Sequence, residues 1–134
     1  MRRTTPINHP ISASLPYEFH FDELSLAGWG TVDFHAQERG VLILLEVENT
    51  QKHPNTNVTK IWPYLECELT KKILLIHVFT NKNTASPNRV KLCSFIGDKL
   101  ESLYPDRFRY YKYNWPETND SDLLSIATKL NELA

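Results

Sequence analysis

The chain has 134 residues, a formal net charge of −1 and a sequence pI of about 6.5, so it is one domain of ordinary size with no overall positive excess. That balance counts against a polyanion held over the whole surface, although a local patch is enough to grip phosphates. No apolar run approaches the ~20 residues that span a bilayer, and Met1-Arg2-Arg3-Thr4-Thr5-Pro6 leads into no secretory segment, so a cytosolic chain without membrane contact is expected.

Residues 1–14, with Pro6 and Pro10, read as an irregular N-terminal arm, and 15–134 as a single α/β domain. Leu15 to Ala27 carries Phe19, Glu23 and Leu26 at helical spacing ahead of Gly28, which predicts a helix; Phe19-His20-Phe21 is alternatively a short strand. Gly30 to Ala36 alternates as a strand, with Thr31, Asp33 and His35 on one side. Gln37 to Gly40 reads as a turn. Val41-Leu-Ile-Leu-Leu-Glu-Val-Glu48 is the central strand. Val41, Ile43, Leu45 and Val47 form a dry face, while Leu42, Leu44, Glu46 and Glu48 form a face that begins apolar and ends acidic.

A hairpin loop of two or four residues would set Asp33 opposite Leu44, with Glu46 diagonally beside it, so that Asp33, Glu46 and Glu48 share a face. A three-residue loop with a bulge would shift that pairing. Like charges brought together in this way repel unless a proton or cation lies between them, so the even register predicts a divalent-ion site.

The polar stretch Asn49 to Asn57 is a loop leaving the strand's C-terminal end, where α/β proteins place ligand contacts. Thr59 to Thr70 predicts a helix on the stripe Ile61, Trp62, Leu65 and Leu69, with Pro63 setting or bending its start. Lys60 then lies at the helix entrance, on the edge that holds Glu46 and Glu48. Ile73 to Phe79 is a second apolar strand, parallel to the first, and His77 in its middle reads as a hydrogen-bonded core histidine. Arg89 to Tyr104 predicts a helix on Leu92, Phe95/Ile96, Leu100 and Leu103. Arg107 to Tyr113 is an aromatic edge strand, and Ser121 to Leu133 is a closing helix with Leu123, Ile126/Ala127, Leu130 and Leu133 inward and a cap at Asn119, Asp120 or Ser121. Cys67 and Cys93 lack metal-type spacing and read as free, semi-buried thiols. The fold class is therefore α/β: a mixed central sheet with an antiparallel hairpin followed by parallel strands, and helices on both faces.

Asp33, followed twelve residues later by Glu46-Val47-Glu48 at a hairpin's end, resembles the Asp…(Asp/Glu)-x-Lys signature of the PD-(D/E)XK nuclease superfamily, with a spacing similar to that of small Holliday-junction resolvases. The element order over roughly residues 15 to 115 is also close to that superfamily's core, with one strand shortened or hidden in 15–27. The chain departs from the pattern at position 48, which is Glu where the family usually has Lys. The resemblance implies a nuclease that hydrolyses phosphodiester bonds, in DNA, with Mg²⁺ or Mn²⁺ as cofactor. It implies Asp33 and Glu46 as ligands with the Val47 carbonyl as a third oxygen. Glu48 would be a general base or second-ion ligand, and Lys60 the displaced catalytic lysine. Glu23 is a further candidate for the metal site, since relatives carry a glutamate on their first helix. Related enzymes pair, so a homodimer is expected, helped by the apolar C-terminal stripe and the aromatic edge strand.

No Gly-rich phosphate loop, Gly-x-Ser-x-Gly, Cys-x-x-Cys or His-Glu-x-x-His occurs in the sequence. His35 and His53 flank the acidic cluster, which leaves open a His-plus-carboxylate hydrolase of a small substrate. A non-catalytic binding domain of nuclease fold is the other alternative.

Overall fold

The structure, a computed structural model, describes residues 9–116 and 119–134. Along the chain run α1 (His9–Ala13), β1 (Leu24–Ser25), β2 (Thr31–Val32), β3 (Phe34–Glu38), β4 (Val41–Glu48), α2 (Thr56–Thr59), α3 (Ile61–Cys67), β5 (Lys72–Phe79), α4 (Pro87–Leu103), β6 (Phe108–Asn114) and α5 (Asp120–Leu133). A four-stranded sheet in the order β3-β4-β5-β6 forms the centre, and β1-β2 is a small separate hairpin. β3 is antiparallel to β4, and β4, β5 and β6 are mutually parallel. This is the mixed α/β sheet that the sequence predicts.

The β3–β4 connection is a two-residue turn. Arg39 and Gly40 both have positive φ, 48° and 80°, the signature of the tight hairpin turn whose twist matches its strands. Its register pairs Phe34 with Leu45 and Glu38 with Val41. The even loop is thus present, but the pairing lies two residues from Asp33 opposite Leu44: the register, carried past the end of the ladder, would face Asp33 toward Glu46.

The two sheet faces bury different partners. Val41, Ile43, Leu45 and Val47, with Leu74, Ile76 and Val78, pack against Ile11 of α1 and Ile126, Leu130 and Leu133 of α5. Leu42, Leu44, Ile73 and Leu75 pack against Val58 of α2, Ile61 and Leu65 of α3, and Cys93 and Leu100 of α4. The α5 stripe is therefore consumed by the sheet and is not spare surface for a second copy.

Four predicted elements differ. Residues 15–27 form no helix: His20 makes one antiparallel bridge to His35, Leu24–Ser25 pairs with Thr31–Val32, and Phe19 and Phe21 pack on the core. Pairing to an open sheet edge and burial of two rings outweigh the weak helical spacing. In the predicted 1–14 arm, residues 1–8 lie outside the described residues, while His9–Ala13 are helical and Ile11 is buried. In α4 the inward residues are Cys93, Gly97 and Leu100, whereas Leu92, Phe95 and Leu103 are exposed.

The predicted helix over 59–70 is split. Pro63 has no N–H to give to the carbonyl of Thr59, so α2 and α3 meet at Lys60 rather than running through. Trp62 and Leu69 point outward and Tyr64 inward. Arg107 holds the far end of this unit, its guanidinium donating to the carbonyls of Leu65 (2.9 Å), Glu68 (2.6 Å) and Lys71 (3.1 Å). Cys67 is exposed and Cys93 buried, both free. No helix is long and apolar enough to cross a membrane among the described residues.

Asn119 caps α5: its side chain accepts from the Asp122 amide at 2.9 Å, and the Asp122 carboxylate accepts from the Asn119 amide at 3.3 Å. Asn119→Ala is expected to lower the unfolding free energy by about 1 kcal/mol, measured by urea denaturation, with Asn119→Ser close to wild type.

Candidate active site

The acidic end of β4 is enclosed by three elements. β4 supplies Glu46 and Glu48, the α2–α3 junction supplies Asn57 and Lys60, and β2 contributes the Thr31 carbonyl. Lys60 donates from Nζ to Glu46 Oε1 at 2.9 Å, to Asn57 Oδ1 at 2.8 Å and to the Thr31 carbonyl at 2.7 Å. All three donor positions of the ammonium are therefore used, and its side chain is only 12% exposed. Asn57 and Lys60 reach each other because they are three apart on consecutive helical turns. The strand β2 lies tight against this lysine. A Cβ at Gly30 would come within 2.9 Å of Lys60 Cδ, and Gly30 has φ +157°, so glycine is what lets the hairpin close over the stem.

Glu48 is fully buried. Its Oε1 accepts from Asn57 Nδ2 and from His77 Nε2, the latter at 3.0 Å, and His77 Nδ1 lies 2.6 Å from the Tyr110 hydroxyl. Burial pushes the Tyr110 pKa far up and lowers that of His77, so the phenol keeps its proton and the imidazole is neutral. The bond directions follow: Tyr110 donates to Nδ1, and His77 donates from Nε2 to the Glu48 carboxylate. His77 is thus a hydrogen-bonded core histidine. Glu48 Oε2 is buried with no hydrogen-bond partner, at a cost of about 1–3 kcal/mol for such a group.

Glu46 differs in kind. Burial raises its pKa to about 7, opposed by Lys60 and reinforced by Glu48 and Asp33. Asp33 is exposed at the bend between β2 and β3 and acts on Glu46 electrostatically. Two carboxyl groups are therefore buried near one ammonium, with a third carboxylate at the rim; burial is the main reason Glu46 tends to keep its proton, and the two other acids add to it.

Of the residues singled out in the sequence, Asp33, Glu46, Glu48 and Lys60 converge here. Val47 turns its side chain into the opposite core. Glu23 is exposed and lies on no helix. His35 lies against Asp22, with Nε2 3.0 Å from its carbonyl, and its ring contacts His20. His53 is exposed, its carbonyl accepting from the Thr56 hydroxyl at 2.8 Å. Asn57, Tyr110 and the two glycines at 30 and 97 escape a sequence reading. Asn57 reads as the end of a loop, and Tyr110 is 33 residues from the histidine it binds. Among the described residues no group of three or more His, Cys, Asp or Glu side chains is clustered to hold a metal ion. Asp33 and Glu46 nevertheless supply hard oxygen donors, of which Glu46 Oε1 is bonded to Lys60, the donor type suited to an ion that completes its shell with water and substrate oxygens. No protein-family model matches the chain, and no curated protein sequence matches it.

The raised Glu46 pKa makes stability depend on pH. The unfolded chain releases this proton near the ordinary value of 4.5 and the folded chain near 7, so within that window the folded state holds a proton that the unfolded state has lost. Stability contributed at low pH is therefore withdrawn as pH rises through the window, and the loss levels off above it. Glu46→Gln, which cannot ionise, is expected to remove this slope. The difference in unfolding free energy between about pH 5 and pH 8, measured by urea denaturation, should shrink relative to wild type by on the order of 2 kcal/mol.

Proposed function

We propose that this chain is a divalent-metal-dependent nuclease acting on DNA phosphodiester bonds, in the cytosol. The observation that carries the reading is the Lys60 ammonium on Glu46, beside Asp33, at the C-terminal end of the central strand. A lysine is thus supplied from the α2–α3 junction to the acidic strand end, where the signature that the sequence resembles would have one two residues after Glu46.

Asp33 and Glu46 would hold Mg²⁺ or Mn²⁺, with the Val47 carbonyl as a further oxygen. When bound, the ion supplies Lewis-acid polarisation of the phosphate and of the attacking water. Glu46 must give up its proton to serve as a ligand, and Lys60 is the nearby cation that favours this. Lys60 then presents positive charge to the phosphate as negative charge builds on its oxygens. Glu48 is sealed from solvent and bonded on one oxygen, so its role is to anchor Asn57 and thereby Lys60 rather than to take a proton from water.

Metal affinity should fall about tenfold for each pH unit well below 7, because the ion competes with the Glu46 proton. Calorimetric titration of Mn²⁺ at several pH values checks this, and Glu46→Ala should abolish the binding. With plasmid and branched DNA as substrates, Lys60→Ala is expected to reduce cleavage by at least a hundredfold, and to leave Mn²⁺ affinity within a few-fold of wild type when the two are compared at a pH high enough to ionise Glu46 in both. Absence of Mn²⁺ binding by the wild-type protein, with DNA present, would overturn the reading.

A further inference from the structure

We propose that Tyr110 and His77 are positioning residues which, with Gly97 beneath the tyrosine ring, fix Glu48 and through Asn57 hold the Lys60 ammonium on Glu46. The catalytic consequence rests on the function proposed above, but the positioning itself does not.

The chain of bonds crosses three parallel strands. Tyr110 of β6 donates to His77 of β5, which donates to Glu48 of β4. From the other side Lys60 donates to Asn57, and Asn57 donates to the same Glu48 oxygen. His77 and Asn57 both donate to the same Glu48 oxygen. The position of Glu48 is thereby fixed from two directions, and the Asn57 amide is left one orientation, with Nδ2 on Glu48 and Oδ1 on Lys60. Without the Tyr110 hydroxyl the Glu48 carboxylate still requires Nε2–H on His77, but Nδ1 loses its partner and the ring is no longer held from behind.

Both ends of the chain are seated by missing side chains. Gly30 makes room for the Lys60 stem, as described. Gly97 lies inside α4, where glycine is unfavourable, and a Cβ there would fall 2.3 Å from the Tyr110 ring. The helix accepts this glycine in order to lie against the ring. A weak helix position, a carboxylate oxygen without a partner and a histidine in the middle of an apolar strand are three destabilising features. They converge on one set of bonds, where apolar side chains of similar volume would pack without such cost.

Tyr110→Phe removes only the hydroxyl and leaves the ring against Gly97. Nitrogen-15 NMR of labelled histidine and lysine reads the result directly. The wild type should show His77 as the Nε2–H tautomer and slow exchange of the Lys60 ammonium protons with water. In Tyr110→Phe, His77 should stay the Nε2–H tautomer with its Nδ1 resonance shifted by the lost hydrogen bond, and Lys60 exchange should quicken at least tenfold. Where cleavage is measurable, kcat should fall tenfold or more with KM unchanged. Tyr111→Phe is the control, since Tyr111 donates to Asp122 at 2.6 Å on the other face of the same strand; it should leave both NMR readouts as in wild type. Wild-type Lys60 exchange in Tyr110→Phe, or equal changes in the control, would overturn the proposal. A wild-type protein that cuts no substrate would instead overturn the nuclease reading, and the NMR comparison would still decide the positioning.

Discussion

Two carboxyl groups lie at the buried end of β4 with one ammonium, which touches only Glu46, and most of the unusual features of this protein answer to that shortage of positive charge. Lys60 spends all three protons on acceptors and opposes the burial that leaves Glu46 half inclined to stay protonated near neutral pH. Glu48 is held by neutral donors, an amide and an imidazole, which stabilise a charge without cancelling it. The division gives the two acids separate characters. Glu46, at the rim beside Asp33, is the one whose charge a cation could change. Glu48 is built into the sheet.

The same shortage explains the local architecture around the lysine. The helix broken by Pro63 is what brings Lys60 to a junction rather than to a helix flank, and Arg107 ties the distal end of α3 to the start of β6. β1 and β2 form only a two-strand hairpin, yet it delivers the Thr31 carbonyl that completes the ammonium's coordination. These elements also bury Leu26, Val32, Val58, Ile61 and Leu65 in the core on this side of the sheet. One packing arrangement thus fills the core and houses the lysine.

Much of the fold was legible because alternation along a strand is strict. Val41 to Glu48 and Ile73 to Phe79 announce themselves by apolar content, the crossover between them requires parallel pairing, and the even turn puts Asp33 on the face of Glu46. The failures share a cause. In α4 the stripe read from the sequence, Leu92, Phe95/Ile96, Leu100 and Leu103, holds at Ile96 and Leu100, but Leu92, Phe95 and Leu103 are exposed and the helix turns Cys93 and Gly97 to the sheet, where the Tyr110 ring fills the space. Hydrophobicity predicts burial only when both partners are free to choose. The helical spacing of 15–27 fails for the complementary reason, since this segment is set by the edge of β3, and the alternative of an extended Phe19-His20-Phe21 is the one the His20–His35 bridge matches. Lys60 was legible as a neighbour of the acidic end from its place at a helix entrance, whereas Asn57 and Tyr110 act through partners distant in the chain and carry no local signal.

The strand β3 subjects this hairpin to a counting rule. Strand side chains alternate, so one residue added within β3, with the ladder kept regular, would carry Asp33 away from the face of Glu46 and would turn Phe34 out of the core in the same step. Two added residues would preserve both faces. The acidic site and the core packing of this strand are therefore kept or lost together.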